Sequence, residues 1–275
     1  MIIIGEKINA SRKSISRAII NRDEDTIKQQ IEAQDKAGAV YIDLNAGTGS
    51  GDEQKEIEHM CWLIDLALET TEKKFSIDSA NPTIIQKGVE HLNGRRDFLV
   101  NSVKNDKKIL DAVFPVIQEN SMPVICLAMG TEGIPKDAEE RTQVCKEIYE
   151  HAMKAGVKEE NLLFDPLVIP LSANTSYEKI ALATLRKIKE ELPNSKTSMG
   201  ISNVSIGLPK RTRINEALLT AAITHGLDAA ICDPTKDGVR KAILLGKLIA
   251  GRDKYCRSYT RAVRKGEFGP QKKKK

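Results

Sequence analysis

Phe75-Ser-Ile-Asp-Ser-Ala-Asn-Pro-Thr-Ile-Ile-Gln-Lys-Gly-Val-Glu-His-Leu92 contains one whole copy of the pattern that decides the fold. A short apolar run from Phe75 to Ile77 ends at Asp78, a polar turn carries the chain to Asn81, and from Pro82 the spacing becomes helical. The unit recurs on both sides. Strands are expected at Ile2–Ile4, Val40–Leu44, Phe75–Ile77, Phe98–Asn101, Val124–Ala128, Leu162–Phe164, Lys196–Gly200 and Ala229–Cys232. Helical period covers Asp23–Gly38, Asp52–Thr71, Pro82–Leu92, Asp137–Ala155, Ser176–Leu192, Ile214–His225 and Asp237–Ala250, several of them ending at glycine or asparagine. Short β-branched runs alternating with helices make βα units and a parallel sheet. Eight strands with no composition break and no long linker point to a closed (β/α)8 barrel, the TIM-barrel architecture. An open doubly wound sheet would want a glycine-rich phosphate turn after an early strand, and neither G-x-G-x-x-G nor a Walker A sequence is present.

The chain has 275 residues, close to the roughly 250 a single such barrel uses. Residues 1–265 are expected to form that one domain. From Arg252 the chain turns basic and polar, which reads as a short final helix, followed over 266–275 by a basic, disordered tail. Hydrophobic residues at 40% and charged residues at 29% suit a globular core and exclude wholesale disorder. The net charge of +5 owes four units to Lys272–Lys275, and aromatics are only 4%, so no nucleic-acid partner is expected. Five widely spaced cysteines, with no C-x-x-C and no Cys/His cluster, indicate a reducing compartment and no metal site. An acid at Glu6 directly behind a very short apolar start fits neither a signal peptide nor a membrane span, so a cytoplasmic location is expected.

In a barrel of this kind the chemistry sits at the C-terminal strand ends. Those ends read Glu6-Lys7-Ile8-Asn9, Asp43-Leu44-Asn45, Asp78-Ser79-Ala80-Asn81, Asn101-Ser102, Asp165-Pro166, Ser202-Asn203-Val204-Ser205 and Asp233-Pro234. A single Asp after a strand is commonly the N-cap of the next helix. Seven such ends converging on one mouth make it rich in carboxylates and amides. There is no G-x-S-x-G elbow and no histidine pair for a metal, and His59, His91, His151 and His225 all fall in or at the ends of outer helices. Trp62 reads as packing. Asp and Asn together grip a flat heterocycle by its edge: a carboxylate accepts paired hydrogen bonds from an exocyclic amine and a ring N–H, and amides serve a carbonyl and ring nitrogens. A pterin has that edge.

The sequence resembles the pterin-binding methyltransferases that move a methyl group between tetrahydrofolate and a corrinoid protein, and the folate module of cobalamin-dependent methionine synthase. The resemblance runs from Ile3 to Cys256 and rests on six motifs in order: Asp43-Leu44-Asn45, Ile77-Asp78-Ser79, Val100-Asn101-Ser102, Gly133-Ile-Pro-Lys-Asp137, Phe164-Asp-Pro-Leu167 and Gly200-Ile-Ser-Asn-Val-Ser205. It implies that Asp78, Asn101 and Asp165 hold the pterin, with Asp43 and Asn45 on the pocket floor orienting them. It places Asn203 beside N5 as the catalytic residue, and Arg211, in the loop after strand seven, at the border of the folate site. A methyl leaves a tertiary amine poorly, so transfer needs hydrogen bonding or a proton at N5, and Asn203 is the candidate donor.

The resemblance further implies tetrahydrofolate as substrate, a cobalamin-type corrinoid carried by a separate protein that docks on the barrel mouth, and a homodimer. The barrel uses every segment up to Ala250, which leaves no room for a corrinoid domain. Ile206 stands where a polar residue can follow Asn-Val-Ser, and this departure leans the reading toward transfer from a methyl-corrinoid to tetrahydrofolate, as in catabolic demethylation. Two alternatives stand beside it. A dihydropteroate synthase would want a pyrophosphate-activating loop after strand one and a basic anion site near the last strand, where Asn9-Ala-Ser-Arg-Lys13 and Asp233-Pro-Thr-Lys-Asp237 do not match. A non-catalytic folate-binding protein would bind without turnover.

Overall fold

The structure, a computed structural model, describes residues 1–49 and 51–269. Eight parallel strands close into a barrel in chain order: β1 (Ile2–Asn9), β2 (Tyr41–Asn45), β3 (Lys74–Asp78), β4 (Phe98–Asn105), β5 (Val124–Gly130), β6 (Leu162–Asp165), β7 (Lys196–Gly200) and β8 (Ala229–Cys232), with β8 pairing back onto β1. The helices are α1 (Lys13–Ile20), α2 (Glu24–Lys36), α3 (Glu53–Thr70), α4 (Pro82–Leu92), α5 (Lys107–Asn120), α6 (Ala138–Lys154), α7 (Tyr177–Glu191), α8 (Arg211–Thr224), α9 (Asp237–Ile249) and α10 (Arg257–Arg264). All eight expected strands are present, with β1 and β4 running several residues further toward the mouth. No helix among the described residues is long and apolar enough to cross a membrane.

The helix starts follow local chemistry. Asp23, Asp52, Asn81, Asp106 and Asp137 each accept a backbone N–H of the following first turn, the N-cap arrangement that satisfies otherwise orphaned donors. Two helices do not stand out in the sequence. Pro115 lies inside α5, where proline argues against a helix although Leu110, Val113, Phe114 and Ile117 keep the helical spacing, and α1 is an added short helix between β1 and α2.

Alternation along the strands builds two cores and the site at once. Outward residues such as Ile42, Leu44, Phe75, Ile77, Val100, Cys126 and Phe164 pack under the helices. Inward residues Ile4, Tyr41, Leu99, Ile125, Leu163 and Ala229, with Ile2, Leu127 and Ile231, fill the lumen. Two residues further along the same inward rows stand Glu6, Asp43, Asn101 and Asp165. The barrel is therefore plugged by hydrocarbon below and opens on polar groups above.

β1 carries a register irregularity between Gly5 and Ile8. The buried Gln34 of α2 fills it, its Oε1 accepting the Lys7 N–H at 2.9 Å. A Cβ on Gly5 would lie 2.4 Å from that oxygen, so a side chain there would have to displace the Gln34 amide from the Lys7 N–H. The four histidines lie on α3, α4 and α6 and at the end of α8, as expected. Of the tail assigned to 266–275, the first four residues are described and pack: Glu267 pairs with Arg240 at 2.5 Å, and Phe268 meets Tyr259 edge-on at 5.2 Å between centroids. Lys272–Lys275 lie outside the described residues.

Candidate functional site

A cavity of about 580 Å³ opens at the C-terminal end of the barrel, large enough for a bicyclic heterocycle. Its lining includes Glu6, Asp43, Asp78, Asn101, Asp165, Asn203 and Arg211, so six of the seven site residues read from the sequence meet in one place. The seventh, Asn45, is level with Asp78 at the mouth end of β2 and hydrogen-bonds to it but is not among the lining residues, so of the two residues expected on the pocket floor only Asp43 faces the cavity. Strand register explains the gathering. Asn45 is level with Asp78, and Asp78 with Asn101; across the barrel, Leu127 is level with Asp165.

The carboxylates are linked through polar neighbours. Asn101 Nδ2 donates to Asp43 Oδ1 at 3.3 Å. Asn45 Oδ1 accepts the Gly47 N–H at 3.2 Å, fixing that amide's orientation. Asp165 Oδ1 accepts the Leu167 N–H at 2.9 Å, and its Oδ2 accepts weakly from Ser198 Oγ at 3.4 Å. Burial dominates the acid–base chemistry, because a desolvated carboxylate resists ionising. It pushes Asp165 up to about 6, against opposing hydrogen bonds from Leu167, Ser198 and Gly200. It likewise pushes Asp78 up to about 6, with Asn45 and Asp43 acting the other way. Asp43 is held well above the carboxylate range, first by burial and then by the charge of Asp78. The two buried carboxyls of Asp43 and Asp78 therefore resist carrying two charges at once.

Asn203 lies in a short 3-10 turn, Ile201–Ser205, that leaves β7. A Cβ on Gly200 would sit 3.0 Å from its amide nitrogen, so the missing side chain leaves room for the amide to fold back over the strand end. Arg211 is the first residue of α8 and not part of the preceding loop, because α8 begins three residues before the expected Ile214. From there its Nε donates to Ser205 Oγ at 3.0 Å and its Nη2 to the Ser202 carbonyl at 2.7 Å, bracing the turn that carries Asn203.

Glu6 and Ser202 stand within quoted motifs, yet the sequence assigns them no role. Ser202 Oγ donates to Glu6 Oε1 at 2.7 Å, and Arg12 reaches the same oxygen at 3.2 Å. Burial raises Glu6 above its ordinary value despite both partners. Alternation from Ile4 turns it inward, and β1 runs on past the apolar run Ile2–Ile4 into the mouth, which that run alone does not disclose. Other strand-end residues have local structural roles: Asn81 caps α4, and Asp233 closes a turn by accepting the Thr235 N–H and pairs with Lys7 at 3.5 Å. Among the described residues no group of three or more His, Cys, Asp or Glu side chains is arranged to hold a metal ion.

A closed parallel barrel with buried carboxylates and amides around a heterocycle-sized mouth defines a pterin-binding class of enzyme. A family model described as "Pterin binding enzyme" matches residues 5–233, and the chain belongs to that family. It is 33% identical over 272 residues to the methylcorrinoid:tetrahydrofolate methyltransferase of Eubacterium limosum, with 98% of each chain covered. It is 24% identical over 249 residues to methionine synthase of Mycobacterium tuberculosis, covering 86% of this chain and 20% of that protein. Solved structures with the same fold include a Yersinia pestis DHPS with a pterine-sulfa conjugate, at a TM-score of 0.70, and a Coxiella burnetii dihydropteroate synthase with pteroic acid, at 0.64. Each is 16% identical, and each alignment covers 91% of this chain and 93% of the other. At that identity the likeness is one of fold.

Proposed function

We propose that this protein is a methyltransferase that moves a methyl group between N5 of tetrahydrofolate and the cobalt of a corrinoid carried by a separate protein. The observation that carries the reading is the convergence of Asp78, Asn101, Asp165 and Asn203 on one cavity at the barrel mouth. The full-length similarity to a methylcorrinoid:tetrahydrofolate methyltransferase supports it and favours transfer from methyl-corrinoid to tetrahydrofolate.

In this reading the ionised carboxylates of Asp78 and Asp165 accept the exocyclic amine and ring N–H of the pterin, and Asn101 serves its remaining edge. Asp43 accepts from the Asn101 amide and holds Asn101 in place. The corrinoid supplies the cobalt that gives up or takes the methyl group. In the favoured direction the N5 lone pair forms the new N–C bond, the Co–C electron pair stays on cobalt, and N5 releases its proton. The Asn203 amide orients N5, its oxygen accepting the N5 proton's hydrogen bond as positive charge develops there. In the opposite direction its N–H donates to the leaving N5. The enzyme contributes orientation and electrostatics.

The partner docks over the mouth, because the cobalt must reach N5 there. The protein acts in the cytoplasm as a homodimer. The test is an anaerobic optical assay with methylcobalamin and tetrahydrofolate, and separately with cob(I)alamin and methyltetrahydrofolate. The cobalt spectrum is expected to change faster in the first mixture, and Asn203→Ala to slow it by on the order of 100-fold. Tetrahydrofolate binding without turnover, even with a corrinoid protein supplied, would make this a binding protein and refute the reading.

A further inference from the structure

Behind Asp165, outside the cavity, lies an arginine the mechanism above does not use. Arg141 sits near the start of α6 and is 0% exposed. A guanidinium is drawn from water only where its donors find acceptors. Those of Arg141 reach two loops at the mouth end of the barrel. Nε donates to the Pro135 carbonyl of the β5–α6 loop at 3.1 Å, and Nη1 donates to the carbonyls of Pro166 and Leu167 at 2.7 and 2.9 Å.

The last two acceptors are the residues directly after Asp165. Leu167 holds a left-handed backbone (φ 65°), a conformation that a branched aliphatic residue takes only when its surroundings impose it. Its carbonyl is gripped by Arg141, and its N–H is held by Asp165 Oδ1 at 2.9 Å. The two grips fix the turn from opposite sides. Asp165 Oδ1 is thereby committed to the Leu167 backbone, while the carboxylate lines the cavity and Oδ2 keeps the long contact from Ser198, with the Gly200 N–H also acting on the group.

Arg141 also has a counter-charge in reserve. Its Nη2 and both carboxylate oxygens of Glu178, near the start of α7, are buried without hydrogen-bond partners. Each group bears on the other electrostatically, and burial pushes Glu178 up to about 7.

We infer that Arg141 is a positioning residue for folate binding, acting through the Asp165–Leu167 turn to aim the Asp165 carboxylate at the pterin edge. The inference rests on the folate reading above. Three substitutions test it, namely Arg141→Lys, Asp165→Asn and the pair combined, with tetrahydrofolate affinity measured by anaerobic calorimetry and turnover measured with free methylcobalamin. Arg141→Lys is expected to weaken tetrahydrofolate binding about 10-fold while kcat at saturating folate stays within about threefold. In the Asp165→Asn background the same change is expected to alter affinity less than twofold, because the carboxylate it positions is gone.

Folded Arg141→Lys protein that binds tetrahydrofolate as the wild type does would overturn the inference, and so would effects that simply add in the double variant. Arg141→Gln, whose amide ends where Nε stands and so can keep the Pro135 contact but loses the grip on Pro166 and Leu167, replaces Arg141→Lys if the latter does not fold. Failure of both to fold assigns Arg141 to stability alone and overturns the positioning role. Wild-type protein that binds no tetrahydrofolate refutes the function itself, an outcome distinct from each of these.

Discussion

Asp165→Asn should make the protein more stable and worse at binding folate. Asp165 is only 4% exposed, and burial raises its carboxyl from 3.8 to about 6. At about 1.4 kcal/mol per pH unit, an ionised Asp165 costs the native state roughly 3 kcal/mol near neutrality. For an acid whose folded value is raised, the native state holds more protons than the unfolded chain between about pH 4 and pH 6. Its contribution to stability therefore falls as pH rises through that window and is constant above it. Asparagine keeps an oxygen for the Leu167 N–H and removes the charge, though its amide nitrogen still has to be desolvated. A gain of about 1–3 kcal/mol at pH 7 is expected, shrinking toward zero at pH 4, and appearing as about 2–4 °C in melting temperature per kcal/mol. Tetrahydrofolate affinity should fall about 10- to 100-fold with the loss of a charge-assisted hydrogen bond. Thermal unfolding at pH 4 and pH 7 and calorimetric titration read both quantities. A variant no more stable than wild type at pH 7, or a gain independent of pH, would refute the electrostatic account; unchanged folate affinity would remove Asp165 from the site.

Tetrahydrofolate affinity should decline as pH drops below about 6, because Asp78 and Asp165 then take up protons and stop accepting; a titration series from pH 5 to pH 8 checks this. Gly200→Ala should press on the Asn203 amide, 3.0 Å from the new methyl, lowering kcat about 10-fold while folate affinity stays within about threefold, as steady-state kinetics beside calorimetry will read. Gly246→Ala on α9 should destabilise by about 1–3 kcal/mol in urea titration without altering folate binding, since its methyl would come 2.9 Å from Ile223 of α8.

What the sequence discloses follows from how locally each feature is encoded. A strand that stops at Asp and a helix that begins within a few residues are written in neighbouring positions, so the eight-strand count could be read directly. The inward row could be anticipated as well, because alternation ties Asp43 and Asn45 to one face of β2 once the strand is placed. Glu6 was harder to assign: alternation from Ile4 turns it inward, but its hydrogen-bond partner Ser202 comes from far along the chain. Arg141 was hidden for a different reason. In Ala-Glu-Glu-Arg-Thr-Gln it sits among the polar residues of an amphipathic helix and reads as a solvated charge. The loops that bury it come from Pro135 and from Pro166-Leu167, and nothing local to α6 announces them. The short α1 falls outside the pattern of one helix per strand, and α5 carries Pro115, which argues against a helix interior although its apolar spacing is helical.

The electrostatics of the mouth connect these observations. Glu6, Asp43, Asp78 and Asp165 are all pushed above their ordinary values, and in each case burial is the largest cause. Evolution toward stability alone would replace them with neutral groups, since carboxylates drawn from water without full compensation weaken the fold. What a set of under-donated acceptors gains is affinity for a ligand that brings its own N–H donors. A pterin edge offered to Asp78 and Asp165 would return the hydrogen bonds that water lost, lower both values and stabilise the folded chain by mass action. Folate binding and proton release are then linked: near pH 6, where both acids are half protonated, binding should expel protons into the buffer, and near pH 8 it should expel almost none. Calorimetry in two buffers of different ionisation enthalpy measures that proton count. Binding near pH 6 with no proton released would mean that the ligand does not engage these carboxylates, and the mouth would need another explanation for its acidity.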